Sequence, residues 1–305
     1  MTGAGTAAPD AGVLRAFGVG ESTPVPLAGG RGLSWRADAA ADAGAAADAG
    51  AAADAGAAAD AGADAAAGVG TRARTRAVVL RPHDGADVTD WRAELLSHLG
   101  HTPAFRTPRP VPTRDGGWRS GDWEAWEFVA GAADESRVTD VIRAGRAFHR
   151  AVADVDRPDF LRVAGADTDD PWRRADGMAW GEEPLPADPT LDRLAAAFRP
   201  VDAPAQLVHG DLLGNVLFAA GHAPAIIDWP PYWRPAGFGL AVAAADAVCW
   251  HGVAVDRLDA LGAGEPEWRQ LLVRALVFRI ATLHLVGAWD ATTVARHVAV
   301  VDAVT

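Results

Sequence analysis

The chain contains no lysine; all 28 of its basic residues are arginine. Asparagine, cysteine and tyrosine occur once each, as Asn215, Cys249 and Tyr232. Each scarcity excludes something. A lone cysteine rules out an internal disulfide and a thiolate zinc site, and a reducing cytoplasm is the expected compartment. With 28 basic against 40 acidic residues the formal net charge is −12, which argues against nucleic acid or an anionic membrane as the main partner. No apolar core follows a basic start, so no secretory leader is expected. The most apolar late stretch, residues 271–289, carries Arg274, Arg279 and His284 and reads as a buried helix, not as a membrane span. At 305 residues the chain can hold one large or two modest domains with a real core, and no obligatory protein partner is evident.

What is present is concentrated in one segment. Residues 209–229 begin His-Gly-Asp-Leu-Leu-Gly-Asn-Val-Leu-Phe and, after a short loop, end Ala-Ile-Ile-Asp-Trp. The only asparagine of the chain, Asn215, stands four residues after Asp211. The apolar runs 216–218 and 225–227 flank a turn containing Gly and Pro, which is a β-hairpin pattern. In an antiparallel hairpin the residue before the first strand faces the residue after the second. That places Asn215 beside Asp228, with Asp211 one loop away. Two carboxylates and an amide oxygen then converge, a hard-oxygen set that suits Mg²⁺ held jointly with substrate phosphates. The plain alternative is a hairpin with a surface aspartate at each end.

This arrangement resembles the catalytic loop and metal-binding aspartate of the protein-kinase-like superfamily, and most closely its aminoglycoside phosphotransferase branch. The resemblance implies an α+β, two-lobed fold. A tail at 1–12 would be disordered, a small β-rich N-lobe would span 13–130, and a larger, mostly helical C-lobe would span 131–305. It implies Asp211 as catalytic base, Asn215 and Asp228 as metal ligands, and His209 as a support of the loop. ATP or GTP with Mg²⁺ would be the cofactors and a small-molecule hydroxyl the acceptor. The alternative from a different class is a nucleotide-binding pseudokinase with a regulatory or interaction role.

Other segments find places in the same scheme. The strands 25–27 and 34–37 flank a loop whose Gly29, Gly30 and Gly32 would let backbone N–H groups approach phosphates. Residues 38–70 repeat Ala-Ala-Ala-Asp-Ala-Gly at a period of six with no large apolar side chain, and read as a solvated insert. Arg81 follows the strand 77–80 where the superfamily has a phosphate-holding lysine, and Glu94 on the helix 88–99 is its expected partner. The departure from lysine admits either a pseudokinase or a chain-wide drift to arginine, and the latter is favoured. Backbone groups at Glu127, Phe128 and Val129 would meet the adenine. His149, near the end of the helix 138–152, reads as core. Trp229-Pro-Pro-Tyr-Trp is expected to shape the acceptor side. Asp246, in the apolar helix 240–250, must find donors, and the resemblance implies that it bonds the catalytic-loop backbone.

Overall fold

The computed structural model describes residues 7–27, 33–39, 76–162 and 168–305. Gly29, Gly30, Gly32 and nearly all of the 38–70 insert lie outside the described residues. Contacts divide the chain into two compact units. One holds the residues up to Ser97 together with Arg109–Phe128; the other holds His98–Pro108 and Val129–Thr305.

The first unit opens with α1 (Ala11–Ala16), whose first turn is capped by Asp10 accepting from Val13 N at 2.9 Å. There follow β1 (Val25–Pro26), β2 (Trp35–Ala39), β3 (Arg76–Pro82), α2 (Ala86–His98), β4 (Arg119–Ser120) and β5 (Trp123–Glu127). These strands form one antiparallel sheet in the order β1-β2-β3-β5-β4. The strand period of two puts Val78 and Leu80 on one face. There they are buried with Ala37, Val111 and Ala125 against Val13, Leu14 and Phe17. Val79 and Arg81 take the opposite face. Their register partners on β5 are Trp126 and Glu124.

The second unit contains β6 (Ala132–Ala133), α3 (Val138–Ala151), α4 (Pro171–Ala179), α5 (Pro189–Ala196), β7 (Ala205–His209), β8 (Val216–Phe218), β9 (Ala225–Ile226) and β10 (Pro231–Pro235). It ends with α6 (Gly237–His251), α7 (Leu258–Leu261), α8 (Trp268–Leu285) and α9 (Ala291–Val304). Two small antiparallel sheets, β6-β8-β9 and β10-β7, are set among the helices. Asp170 and Asp188 each cap a helix that has proline in its first turn, and Asp290 closes a capping box with Thr293. The core runs along α6 and α8, where Phe238 and Phe278 pack edge-on at 5.9 Å. Among the described residues no helix is long and apolar enough to cross a membrane. The architecture is the expected α+β one, a β-rich N-terminal unit and a mostly helical C-terminal unit.

Candidate active site

β7 and β10 are antiparallel partners, with His209 opposite Pro231. The chain between them leaves at Gly210, turns through Asp211 and returns by the β8–β9 hairpin, in which Val216 faces Ile226 and Leu217 faces Ala225. Ile227 N donates to Asn215 O at 3.0 Å, which carries the ladder one pair further. Asn215 therefore stands opposite Ile227, and Asp228 follows as an exposed residue at φ 49°. Aspartate tolerates this left-handed conformation better than most residues.

Asn215 Nδ2 donates to Asp211 O at 2.7 Å and to Asp211 Oδ2 at 3.2 Å. Its oxygen is then the atom left to serve a cation. Asp211 Oδ1 accepts from Arg279 Nη2 at 2.5 Å. The same guanidinium grips Asp246, with Nε 3.0 Å from both carboxylate oxygens and Nη2 2.5 Å from Oδ2. Burial works to lower the pKa of Arg279, but the Asp246 and Asp211 carboxylates outweigh it and the group is held protonated. This corrects the reading of Asp246. Its carboxylate holds the α8 arginine, not the loop backbone.

The backbone is held by His149 instead. Its Nδ1 donates to Ala236 O at 2.9 Å, and its Nε2 accepts from His209 N at 2.9 Å. His209 continues the relay, accepting from Asp211 N at its Nδ1 (3.1 Å) and donating from Nε2 to Ile227 O (3.0 Å). Each ring must be neutral to donate from one nitrogen and accept at the other. Burial supplies that condition, pushing His209 down and His149 to about 3. Gly239 lets α6 pass directly beneath this loop, since a Cβ there would lie 2.1 Å from His209 O. Trp229, expected at the acceptor side, is core. It is buried, donates from Nε1 to Val208 O and meets Phe148 edge-on at 4.9 Å.

In the first unit Arg81 and Glu124 are register partners, and Arg81 Nε lies 2.5 Å from Glu124 Oε1. Arg92 Nη2 approaches the same carboxylate at 2.9 and 3.0 Å, and Asp84 receives both arginines, at 3.4 Å from Arg81 and 2.8 Å from Arg92. Glu124 is the carboxylate that strand register sets against Arg81, where the sequence pointed to Glu94. The reason is helical phase: Arg92 is the α2 residue that faces the sheet, and two residues on is about 200° round the helix. Glu94 consequently falls on the exposed face. Of the three residues expected near adenine, Glu127 N donates to Arg109 O and Phe128 N to Ala77 O, so these two donors serve the sheet. Val129 is the first residue of the second unit after this strand.

The chain's residues 55–272 match the family model described as the phosphotransferase enzyme family, APH. The chain belongs to that family. Among solved structures, an amicoumacin kinase, hAmiN, in complex with AMP-PNP, Ca²⁺ and Ami, aligns at 12% identity over 92% of this chain and 87% of its own, with a TM-score of 0.54. A choline kinase from Cryptosporidium parvum Iowa II aligns at 9% identity over 92% and 88%, with a TM-score of 0.51. At such identities the likeness is one of fold. No curated protein sequence matches the chain. In this phosphotransferase-family chain, three functional candidates escaped sequence reasoning. Glu124 and Arg92 were hidden because strand register and helix phase decide which charges face inward. Arg279 was noted only as a charge inside an apolar helix.

Proposed function

We propose that this protein transfers the γ-phosphoryl group of ATP or GTP to a hydroxyl of a small molecule, in a reducing cytoplasm, as an aminoglycoside-phosphotransferase-like kinase. The observation that carries the reading is the Asp211 carboxylate, held on both oxygens by Asn215 and Arg279 at the mouth of the β8–β9 hairpin. Its side chain remains 45% exposed, so an acceptor can reach it. Asp211 orients the acceptor hydroxyl and takes its proton as the oxygen attacks the γ-phosphorus and the nucleoside diphosphate leaves. Most of the rate enhancement would come from positioning and preorganised charge.

Asn215 and Asp228 are the residues that would hold Mg²⁺. Among the described residues no three His, Cys, Asp or Glu side chains form a metal cluster. A cation here would then draw on one amide oxygen, a carboxylate and the nucleotide itself, the sparse oxygen set Mg²⁺ takes with substrate phosphates. Bound there, the ion would neutralise charge on the β- and γ-phosphates. Arg81, fixed by Glu124, is the phosphate-holding cation of the first unit, and Gly29, Gly30 and Gly32 would cover the phosphates.

The test uses MgATP-dependent thermal stabilisation and ADP release across a panel of hydroxyl acceptors. Asp228→Ala is expected to abolish the Mg²⁺-dependent part of the stabilisation. Asp211→Asn keeps it and loses turnover by about 10²-fold or more. Wild-type turnover in Asp211→Asn would remove Asp211 from the mechanism.

A further inference from the structure

We propose that Arg279 is the positioning residue of the reaction: it fixes the carboxylate of Asp211 in its working rotamer by tying it to the buried Asp246. The assignment rests on the kinase reading of Asp211 given above. Arg279 lies on α8 and Asp246 on α6, two helices that pack against each other in the core. The pair Arg279–Asp246 is complete by itself, with Nε bridging both oxygens of Asp246. Yet Nη2 is also shared, at 2.5 Å each, between Asp246 Oδ2 and Asp211 Oδ1. A buried ion pair needing only a counter-charge has no use for that second carboxylate, whose side chain is 45% exposed and could solvate itself.

The contact has a mechanical consequence. An aspartate on a loop has two free side-chain torsions. Here one oxygen is held by Arg279 and the other by Asn215, so neither torsion is free. Two carboxylate oxygens sharing one nitrogen would repel without the guanidinium between them, and the exposed one would swing out. A planar fork can serve both acids at once; an ammonium is a point charge and cannot hold them in one plane. Asp246 is in turn fixed on α6, the helix that Gly239 allows to lie against His209. The acid that meets the acceptor is thus referenced to the helical core and not to its loop alone.

The experiment measures ADP release from MgATP with water as acceptor, together with the MgATP-induced thermal shift, for wild type, Arg279→Gln and Arg279→Lys. Arg279→Gln is expected to lower kcat by about 10²-fold while KM for ATP stays within about twofold, because misplacement of a reacting group acts on the chemical step. Arg279→Lys is expected to lose only about tenfold, since the charge persists without the fork. The assignment is overturned if Arg279→Gln keeps kcat within about twofold of wild type, if kcat and KM change in step, or if Arg279→Lys does no better than Arg279→Gln. Should Arg279→Gln not fold, Arg279→Lys decides alone: a tenfold fall in kcat at constant KM supports the role, and wild-type kcat overturns it. A wild-type protein that neither responds to MgATP nor releases ADP is a different result. It refutes the kinase reading and takes this assignment with it.

Discussion

Acid should loosen the His209–Asp211 loop through one residue, His149. The imidazole is wholly enclosed, donating to Ala236 O and accepting from His209 N. Burial holds its pKa down to about 3, against roughly 6.5 for a free histidine. In the unfolded chain His149 takes up a proton as pH falls through about 6.5; in the folded chain it stays neutral until about 3. Between those values the unfolded state binds more protons, so stability falls as pH falls, by about 1.4 kcal/mol per unit once well below 6.5. From pH 7 to pH 5 the contribution of His149 is about 2 kcal/mol. His209, also pushed down by burial, acts in the same sense. Burial raises Asp176 and Asp246, which act in the opposite sense. A comparison with His149→Gln cancels these other groups. The variant gives up buried hydrogen bonds and starts about 1–3 kcal/mol less stable at pH 7. It lacks the titration, however, so urea denaturation at pH 7, 6 and 5 should show the gap to wild type closing by about 2 kcal/mol. A gap independent of pH would mean that His149 is not a neutral brace, and the relay through His209 to Asp211 would fall with it.

Gly239→Ala places a methyl 2.1 Å from the carbonyl oxygen of His209, a backbone atom that cannot step aside as a side chain can. It should cost about 1–3 kcal/mol in urea denaturation despite the better helix propensity of alanine, and an unchanged midpoint would refute the close approach of α6. Glu124→Gln leaves two facing arginines short of their shared carboxylate and should destabilise by about 3–5 kcal/mol while weakening the MgATP thermal shift. Glu94→Gln, on the exposed face of α2, should stay within about 0.5 kcal/mol of wild type in both readings, and equal damage from the two variants would refute the pairing of Arg81 with Glu124.

The parts of the fold legible in the sequence are those with a local cause. The β8–β9 hairpin was readable because two apolar runs flank a turn, but its register is one residue off the expected one: Val216 faces Ile226, so Asn215 stands opposite Ile227 and not Asp228. Helix α3 announces itself by periodicity and begins at Val138 as read. Helix α4 went unseen inside a stretch of acids and tryptophans, although Asp170-Pro171 carries the same cap-and-proline signal that opens α5 at Asp188-Pro189. Strands β7 and β10 were missed for another reason. They pair across a 21-residue excursion, from His209 to Pro231, and two prolines in β10 speak against a strand. Only an edge strand tolerates them, and edge position is a tertiary fact.

The same division separates the readable from the unreadable part of the site. Asp211, Asn215 and Asp228 sit in one short segment, so their spacing is visible in one dimension. What holds them comes from His149, Asp246 and Arg279, on three different helices, and no spacing records it. The missing lysine is the one compositional trace of that scaffold. At several places among the described residues an arginine joins two carboxylates: Arg81 and Arg92 between Glu124 and Asp84, Arg234 between Asp176 and Glu182, and Arg279 between Asp211 and Asp246. A guanidinium offers five donors in one plane and keeps its charge when buried, whereas an ammonium in such surroundings loses its proton more readily and cannot span two acids with fixed geometry. A chain whose buried carboxylates are met in pairs gains from arginine at each junction. On this view Arg81, where the resemblance expects lysine, follows the chemistry of the whole chain.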